Sequence, residues 1–205
     1  MDPLHKLAEY FGEFPGIGPR QAKRFAYFLM TKNSSYLEGL SNLILDIKKR
    51  IKTCSMCFRL YPDGKTTICP VCSNMNRNRE TIMIISRDVD FDVIEKSSVY
   101  NGLYFILGGI IPILEENPEK KVRLKDLKDR INKSQKEGSI KEIILSLNTT
   151  AEGENTADFI RQFIITNFPN SNIKISVLGR GLSTGSELEY LDSETIKNAL
   201  ENRKG

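Results

Sequence analysis

The sequence predicts an α/β protein with a helical N-terminal region and a small cysteine-rich insert. Three observations lead to this prediction. Apolar residues repeat at helical spacing up to about residue 52, all four cysteines lie within residues 53–79, and short apolar runs alternate with helical stretches from Thr81 onward. This alternation is typical of a parallel sheet covered on both faces by helices. We therefore predict four segments, at residues 1–52, 53–79, 80–176 and 177–205.

The composition is that of an ordinary globular protein, with 205 residues of which 40% are hydrophobic and 27% charged. This balance excludes a disordered chain. The longest apolar run, residues 104–114, spans 11 residues, whereas a membrane helix needs about 20. The first residues, MDPLHKLAEYFGEF, lack the apolar core of a signal peptide. We expect a cytoplasmic protein with no membrane partner.

The charge is distributed unevenly along the chain. The formal net charge is +4, but residues 1–80 carry 13 Lys and Arg against 7 Asp and Glu, whereas residues 81–205 carry 17 against 19. The basic part is therefore the better candidate for contact with a polyanion such as nucleic acid. An ordinary solvated basic surface is the alternative.

The N-terminal region contains two stretches with apolar residues at helical spacing, which predict two amphipathic helices with one buried stripe each. The stripes comprise Ala22, Phe25, Ala26 and Leu29 in one helix and Leu40, Ile44, Ile47 and Ile51 in the other.

The segment FPGIGPRQAKRF, before and within the first of these helices, has the features of a phosphate-binding turn. Gly16 and Gly18 allow a tight turn and close approach by another molecule, and Pro19 is a favourable first helical residue. The unpaired N–H groups at the start of a helix attract anions. The next turns carry cations on the face opposite the apolar stripe, so the sequence predicts sequence-independent contact with a nucleic-acid backbone. The predicted DNA-binding residues are Gly16, Gly18, Arg20, Lys23 and Arg24. A plain helical hairpin with a solvated cationic face is the alternative.

The four cysteines occur as two CxxC pairs, Cys54 with Cys57 and Cys69 with Cys72, around a turn at Pro62-Asp63-Gly64. Two such turns can direct four sulfurs to one tetrahedral ion, as closed structural zinc sites require. Disulfides are disfavoured in a cytosolic chain, and a redox pair would not need a second CxxC. We predict a structural zinc ion that folds the insert, since so short a segment buries little surface by itself.

The α/β segment places polar residues after two of its strands. Its predicted strands are TIMII, LYFI, EIILSL and IKISVL, and helices are predicted around residues 124–137, 156–167 and 193–201. In parallel sheets ligands bind where strands end. Asp88 follows the first strand, and Glu152 and Glu154 follow the third. These three carboxylates form a candidate partner-binding rim; alternatively, the glutamates simply begin the next helix, where its dipole favours them.

Two motifs resemble known domains. PGIGPRQAKRFA resembles the helix-hairpin-helix motif of DNA repair proteins, and TTAEGENTA resembles the Toprim domain of topoisomerases, primases and small nucleases. In register, the two metal-binding aspartates of Toprim enzymes fall on Asn148 and Thr150, and the catalytic glutamate falls on Ser86. Since magnesium prefers anionic oxygen ligands, these replacements predict that no residue is catalytic.

The order of these parts, together with the C-terminal run GSELEYLD, resembles the RecR family of bacterial recombination mediators over nearly the whole chain. The resemblance implies a helix-hairpin-helix region, a four-cysteine zinc finger, a non-catalytic Toprim-like domain and a C-terminal oligomerisation segment. It also implies a ring of two or four copies that clamps gapped, single- or double-stranded DNA. RecO-like and RecF-like partners would help it to load RecA on single strands. Ser86 and Thr149 depart from the family pattern, which usually has Glu and Pro there.

Three functions remain open at this point: a DNA-binding mediator, a Toprim-class metal-dependent phosphodiester enzyme, and a zinc-containing interaction module whose DNA affinity is incidental. Salt-sensitive DNA binding that requires Arg20 and Arg24 would distinguish the first, and metal-dependent cutting would distinguish the second.

Overall fold

A computed structural model describes residues 2–62, 66–136 and 140–203. The chain divides into two compact units, Met1–Lys52 and Thr53–Gly205. The turn predicted at Pro62-Asp63-Gly64 and the end of the helix predicted at 124–137 extend outside the described residues. No helix in the described ranges is long and apolar enough to cross a bilayer.

The first unit contains three helices: α1 (Pro3–Gly12), α2 (Pro19–Met30) and α3 (Ser34–Arg50). Their starts follow from the local sequence, because α1 and α2 each begin with proline and the side chain of Asn33 caps α3 by accepting the N–H of Tyr36 at 2.9 Å. The residues buried where α1 packs against α2 are all alanines: Ala8, Ala22 and Ala26. Small side chains allow the two helices to approach closely.

The buried stripe predicted on the second amphipathic helix is wrong. Helix α3 has no buried residue, and its Ile44 and Ile47 are 60% and 57% exposed. Ile51 lies in a strand, because α3 ends at Arg50. The apolar periodicity is present, but no described residue of the first unit buries this face of α3.

The second unit holds a cysteine insert and a four-stranded sheet. Strand β1 (Ile51–Thr53), whose last residue begins the second unit, pairs with β2 (Leu60–Pro62) of the insert, and the insert ends with the short helix α4 (Pro70–Ser73). The remaining elements follow in chain order: β3 (Asn78–Ile85), α5 (Asp88–Ser97), β4 (Gly102–Ile106), α6 (Leu124–Lys136), β5 (Glu142–Leu145), α7 (Ala151–Asn167), β6 (Lys174–Val177) and α8 (Ser193–Glu201).

The predicted parallel sheet is confirmed, with strand order β4-β3-β5-β6 and parallel pairing throughout. Alternate residues of its strands enter two separate cores. Ile82 and Ile84 belong to the core that includes Leu127 of α6 and Ile160 of α7. The intervening Met83 and Ile85 belong to the other core, with Phe91 of α5 and the cysteines. The buried residues of this second core are Cys54, Cys57, Tyr61, Cys69, Val71, Cys72, Met83, Ile85, Phe91, Tyr104 and Ile106. The α/β class is therefore confirmed, with both faces of the sheet covered.

Candidate nucleic-acid interface and metal centre

The turn between α1 and α2 is open on its outer side. Gly16 adopts a positive φ of 77°, which favours glycine, and the N–H of Ile17 donates to the carbonyl of Phe14 at 3.0 Å. A Cβ added at Gly16 or Gly18 would meet no atom of the described residues within 4 Å. Gly18 is therefore not required by packing within the chain, and the space beside it is available to another molecule.

The predicted DNA-binding cations lie on the exposed surface of α2. Arg20, Lys23 and Arg24 are all exposed, and α2 contains no acidic residue. Among the described residues, none of the three forms an ion pair; the guanidinium of Arg24 donates only to the amide oxygen of Gln21, at 3.5 Å. Three unpaired cations beside an open turn can neutralise phosphates without losing an internal salt bridge.

The four cysteines converge on one point in the described part of the insert. Their sulfurs all lie within 4.8 Å of one another and all four residues are buried. A tetrahedron with zinc–sulfur bonds of about 2.3 Å has sulfur–sulfur edges of about 3.8 Å. The Sγ atoms of Cys57 and Cys69 are 3.6 Å apart. The arrangement therefore fits a tetrahedral metal ion with four sulfur ligands.

Hydrogen bonds within the cluster favour the thiolate form of Cys54. The Sγ of Cys54 accepts backbone N–H groups from Met56 at 3.4 Å and Cys69 at 3.3 Å. The hydrogen bond from the Cys57 thiol is the main cause that lowers the pKa of Cys54, and the same contact raises the pKa of Cys57. Because neighbouring buried thiolates repel one another, a bound cation is what stabilises the fully deprotonated set.

Residues after the first CxxC attach the insert to the sheet. The N–H of Ile106, on the outer strand β4, donates to the carbonyl of Cys57 at 2.9 Å. Phe58 adopts a positive φ of 62°, and its ring lies 5.4 Å from that of Phe105. The N–H of Leu60 donates to a carboxylate oxygen of Asp88 at 2.7 Å. The cysteine cluster therefore lies in a segment that packs directly on the sheet and on α5.

Asp88 thus has an internal role that sequence reasoning missed. It is the first residue of α5, and one of its carboxylate oxygens accepts a hydrogen bond from the first residue of β2. Its assignment to partner binding stays a prediction. Nothing in the local sequence signals this contact, since the two residues are 28 positions apart.

The loop after β5 is shaped around Gly153. The Thr150 side chain caps α7 by accepting the N–H of Gly153 at 3.2 Å. A Cβ on Gly153 would clash with the carbonyl of Asn148, so steric space requires glycine between Glu152 and Glu154. Because α7 begins at Ala151, Glu152 and Glu154 lie in its first turn, as the alternative interpretation predicted.

The two glutamates differ in their surroundings. Glu152 is exposed, whereas the carboxylate of Glu154 pairs with the guanidinium of Arg180 at 2.6 Å. Arg180 follows β6 in the run GRG, and its position just after a strand end is the signal that could have identified it. A cation of the protein therefore already faces one of the acidic residues.

The positions that hold metal in Toprim enzymes are not equipped to do so here. Ser86 is 2% exposed and donates to a carboxylate oxygen of Asp90 at 2.5 Å, while Asn148 and Thr150 are exposed. The register pair Ile84 and Leu145 places the ends of β3 and β5 side by side. Among the described residues, the cysteines are the only cluster of three or more ligand side chains close enough to share an ion.

Comparison with known proteins gives three matches to family models. Residues 4–48 match the model described as RecR, helix-hairpin-helix. Residues 80–179 match the Toprim domain, and residues 181–204 match RecR, C-terminal.

Full-length relatives agree with these matches. The chain is 35% identical to a protein named Recombination protein RecR from Dehalococcoides mccartyi, over 98% of this chain and 93% of that protein. Proteins of the same name from Lactobacillus acidophilus and Chloroherpeton thalassium are 34% and 32% identical, over 98% of this chain and 96% and 95% of theirs. This extent of similarity supports a role in recombination and repair. The chain belongs to the RecR family.

Proposed function

We propose that this chain is a non-catalytic, DNA-binding recombination mediator. The observation that carries the proposal is the set of three unpaired cations on α2 beside the open turn at Gly16 and Gly18. Phosphates would lie against the turn and pair with Arg20, Lys23 and Arg24. Because these groups would contact phosphates and not base edges, binding would be independent of the DNA sequence.

In this proposal the cysteine cluster binds zinc, which supplies a tetrahedral cross-link rather than a reactive centre. Four sulfur ligands leave no coordination position for water. The ion would hold residues 57–60 in the geometry that packs on β4 and α5. The zinc would thereby stabilise the second unit.

The proposal assigns no catalytic role to the loop at residues 148–154. Amide and hydroxyl side chains replace the carboxylates of Toprim enzymes, and Arg180 faces Glu154. A guanidinium at that position opposes the binding of a divalent cation. Glu152, together with Glu154 and Asp88 of the same unit, would instead bind protein partners of the RecO and RecF kind.

The steps proposed after DNA binding follow from the family resemblance. Rings of two or four copies would clamp gapped DNA, and RecO-like and RecF-like partners would join them to load the RecA recombinase on the single strand. The exposed apolar face of α3 supports assembly with another protein chain.

The test measures binding to labelled gapped DNA over a range of salt concentrations. The double variant Arg20→Ala/Arg24→Ala should weaken binding about tenfold or more and reduce the salt slope by about 1.8, since each phosphate contact contributes about 0.9. Lys48→Ala/Lys49→Ala is the matched control, because it removes the same charge from the end of α3 in the same unit. Equal binding by wild type and the first variant would refute the hairpin assignment.

The same DNA, incubated with magnesium or manganese and resolved on denaturing gels, tests the absence of catalysis. Intact strands are expected. Cutting that requires metal and disappears in Glu152→Ala would show a Toprim-class enzyme. A partner complex that persists at salt concentrations abolishing DNA binding, together with unchanged DNA repair in the Arg20→Ala/Arg24→Ala variant, would favour an interaction module instead.

A further inference from the structure

The junction between α2 and α3 carries two exposed aromatic rings around one lysine. The ammonium of Lys32 lies 4.3 Å from the ring centroid of Phe28 and 5.6 Å from that of Tyr36. The two aromatic residues are 50% and 46% exposed. We name Phe28, Lys32 and Tyr36 the aromatic cluster.

Local hydrogen bonds fix the geometry of this cluster. The N–H of Lys32 donates to the carbonyl of Leu29 at 3.0 Å, which closes the end of α2. One residue later, the side chain of Asn33 accepts the N–H of Tyr36 and begins α3. The short connection between the helices therefore holds both rings beside the lysine, so little conformational entropy would be lost when a ligand binds.

The aromatic cluster continues the basic surface of α2. Arg20, Arg24 and Phe28 are spaced four residues apart, and so are Lys23 and the exposed Tyr27. Residues at this spacing lie one above the other on a helix surface. Both rows therefore run from a cation in the first half of α2 to an exposed aromatic ring in the second half.

The charge of the cluster favours a polyanion over another protein surface. No carboxylate of the described residues lies within 4 Å of the Lys32 ammonium. Covering the rings with a second copy of this chain would bury that unpaired charge at a desolvation cost. Single-stranded DNA supplies both groups the cluster lacks: a base with a π-face for each ring and a phosphate for the lysine.

We propose, as an extension that rests on the proposed function, that the rings of the aromatic cluster stack on unpaired bases of single-stranded DNA. These bases would lie next to the backbone phosphates that Arg20 and Arg24 contact. The hairpin would then hold phosphates of either duplex or single strand, and the rings would add affinity only where bases are unpaired. This gives the first unit a preference for the single-stranded part of gapped DNA.

The test compares the double variant Phe28→Leu/Tyr36→Leu with wild type on a single-stranded oligothymidine and on a duplex of equal length. Leucine keeps apolar bulk but removes the π-face, so it distinguishes base stacking from contact with a second copy. Affinity for the single strand should fall about tenfold, while affinity for the duplex should change less than about twofold. The salt slope on both substrates should stay unchanged, since no cation is removed.

A second readout uses a single strand that contains 2-aminopurine, whose fluorescence changes when it stacks. Binding of wild type should alter the signal, whereas binding of the leucine variant at saturation should leave it nearly unaltered. Tyr190→Ala, which removes an exposed aromatic residue of the other unit, is the matched control and should behave as wild type. Circular dichroism verifies that the variants remain helical.

The outcomes separate this inference from the proposed function. If Arg20→Ala/Arg24→Ala leaves both substrates bound as in wild type, the hairpin assignment itself fails. If that variant loses both substrates but the leucine variant loses neither, or loses both equally, base stacking is refuted. An altered assembly mass with unaltered single-strand affinity would assign the aromatic cluster to a second copy and would also refute it.

Discussion

Thr156 connects the first turns of α7 to the loop that follows β4, and the substitution Thr156→Val tests this link. The hydroxyl is fully buried; it accepts the N–H of Ile111 at 2.8 Å and donates to the carbonyl of Glu152 at 2.7 Å. The two residues Ile111 and Thr156 are 45 positions apart. One hydroxyl therefore joins the loop after β4 to the start of α7, which carries Glu152 and Glu154.

The expected loss of stability comes from the backbone N–H of Ile111, which would lose its hydrogen-bond acceptor. Ile111 is 2% exposed, so valine at position 156 would leave its N–H buried and unsatisfied. Such a group costs about 1–3 kcal/mol, and we expect a loss of about 2 kcal/mol in the free energy of unfolding. For a unit of about 150 residues this lowers the melting temperature by about 4–8 °C.

Urea unfolding followed by near-ultraviolet circular dichroism measures this loss, because the buried Tyr104 and the partly buried Tyr100 report on the second unit. With a slope of about 2 kcal/mol per molar, the midpoint should fall by about 1 M. Thr156→Ser is the control: it keeps the hydroxyl and loses only a methyl group, at a cost of about 1 kcal/mol. A valine variant as stable as wild type, or more stable than the serine variant, would refute the role of this hydrogen bond.

Three further predictions concern the loop, the metal centre and the pH dependence. Gly153→Ala should lower the melting temperature, because a Cβ there clashes with the carbonyl of Asn148, whereas Gly39→Ala, where a Cβ meets no atom within 4 Å, should not. A mercurial that titrates thiols should release one zinc ion per chain, measured with a chromophoric chelator, and lower the melting temperature of the second unit. Burial raises the pKa of Tyr100 to about 12, so the stability it contributes is complete below pH of about 10 and is lost as the pH rises through 12. Tyr100→Phe should therefore weaken the alkaline loss of stability, measured by thermal melts from pH 8 to 12.

Each of these predictions has a clear contrary result. Equal melting temperatures for wild type and Gly153→Ala would mean that the loop has room for a side chain. Iron or no metal in place of zinc would contradict the proposed cofactor. An alkaline stability profile of Tyr100→Phe identical to that of wild type would place the titrating group elsewhere.

Local patterns in the sequence were sufficient for the cysteine cluster and for most elements, although α7 begins at Ala151 and not at the predicted Thr156. The CxxC pairs brought four sulfurs together as predicted, because each turn sets two ligands by its own geometry. Helix α8 has the predicted bounds, Ser193–Glu201, and the alternating apolar runs became parallel strands. These features depend on residues a few positions apart, which is the range over which periodicity and turn chemistry act.

The exposure of α3 depended on tertiary structure. Spacing shows that a helix has an apolar face, but whether anything covers that face depends on segments elsewhere, and Ile44 and Ile47 remain exposed in this chain. The same limit applies to the aromatic cluster, since only the turn between α2 and α3 brings Tyr36 to Lys32.

By itself, the sequence determined the α/β class, the cysteine centre, the basic hairpin and the loss of carboxylates at Ser86, Asn148 and Thr150. Only the tertiary structure decided the order of the strands, the use of Asp88 as a tie to the insert, and the pairing of Glu154 with Arg180. The physical reason is distance along the chain. The two contacts join residues 28 and 26 positions apart, and their formation depends on which strands become neighbours, a choice made by packing of the whole core.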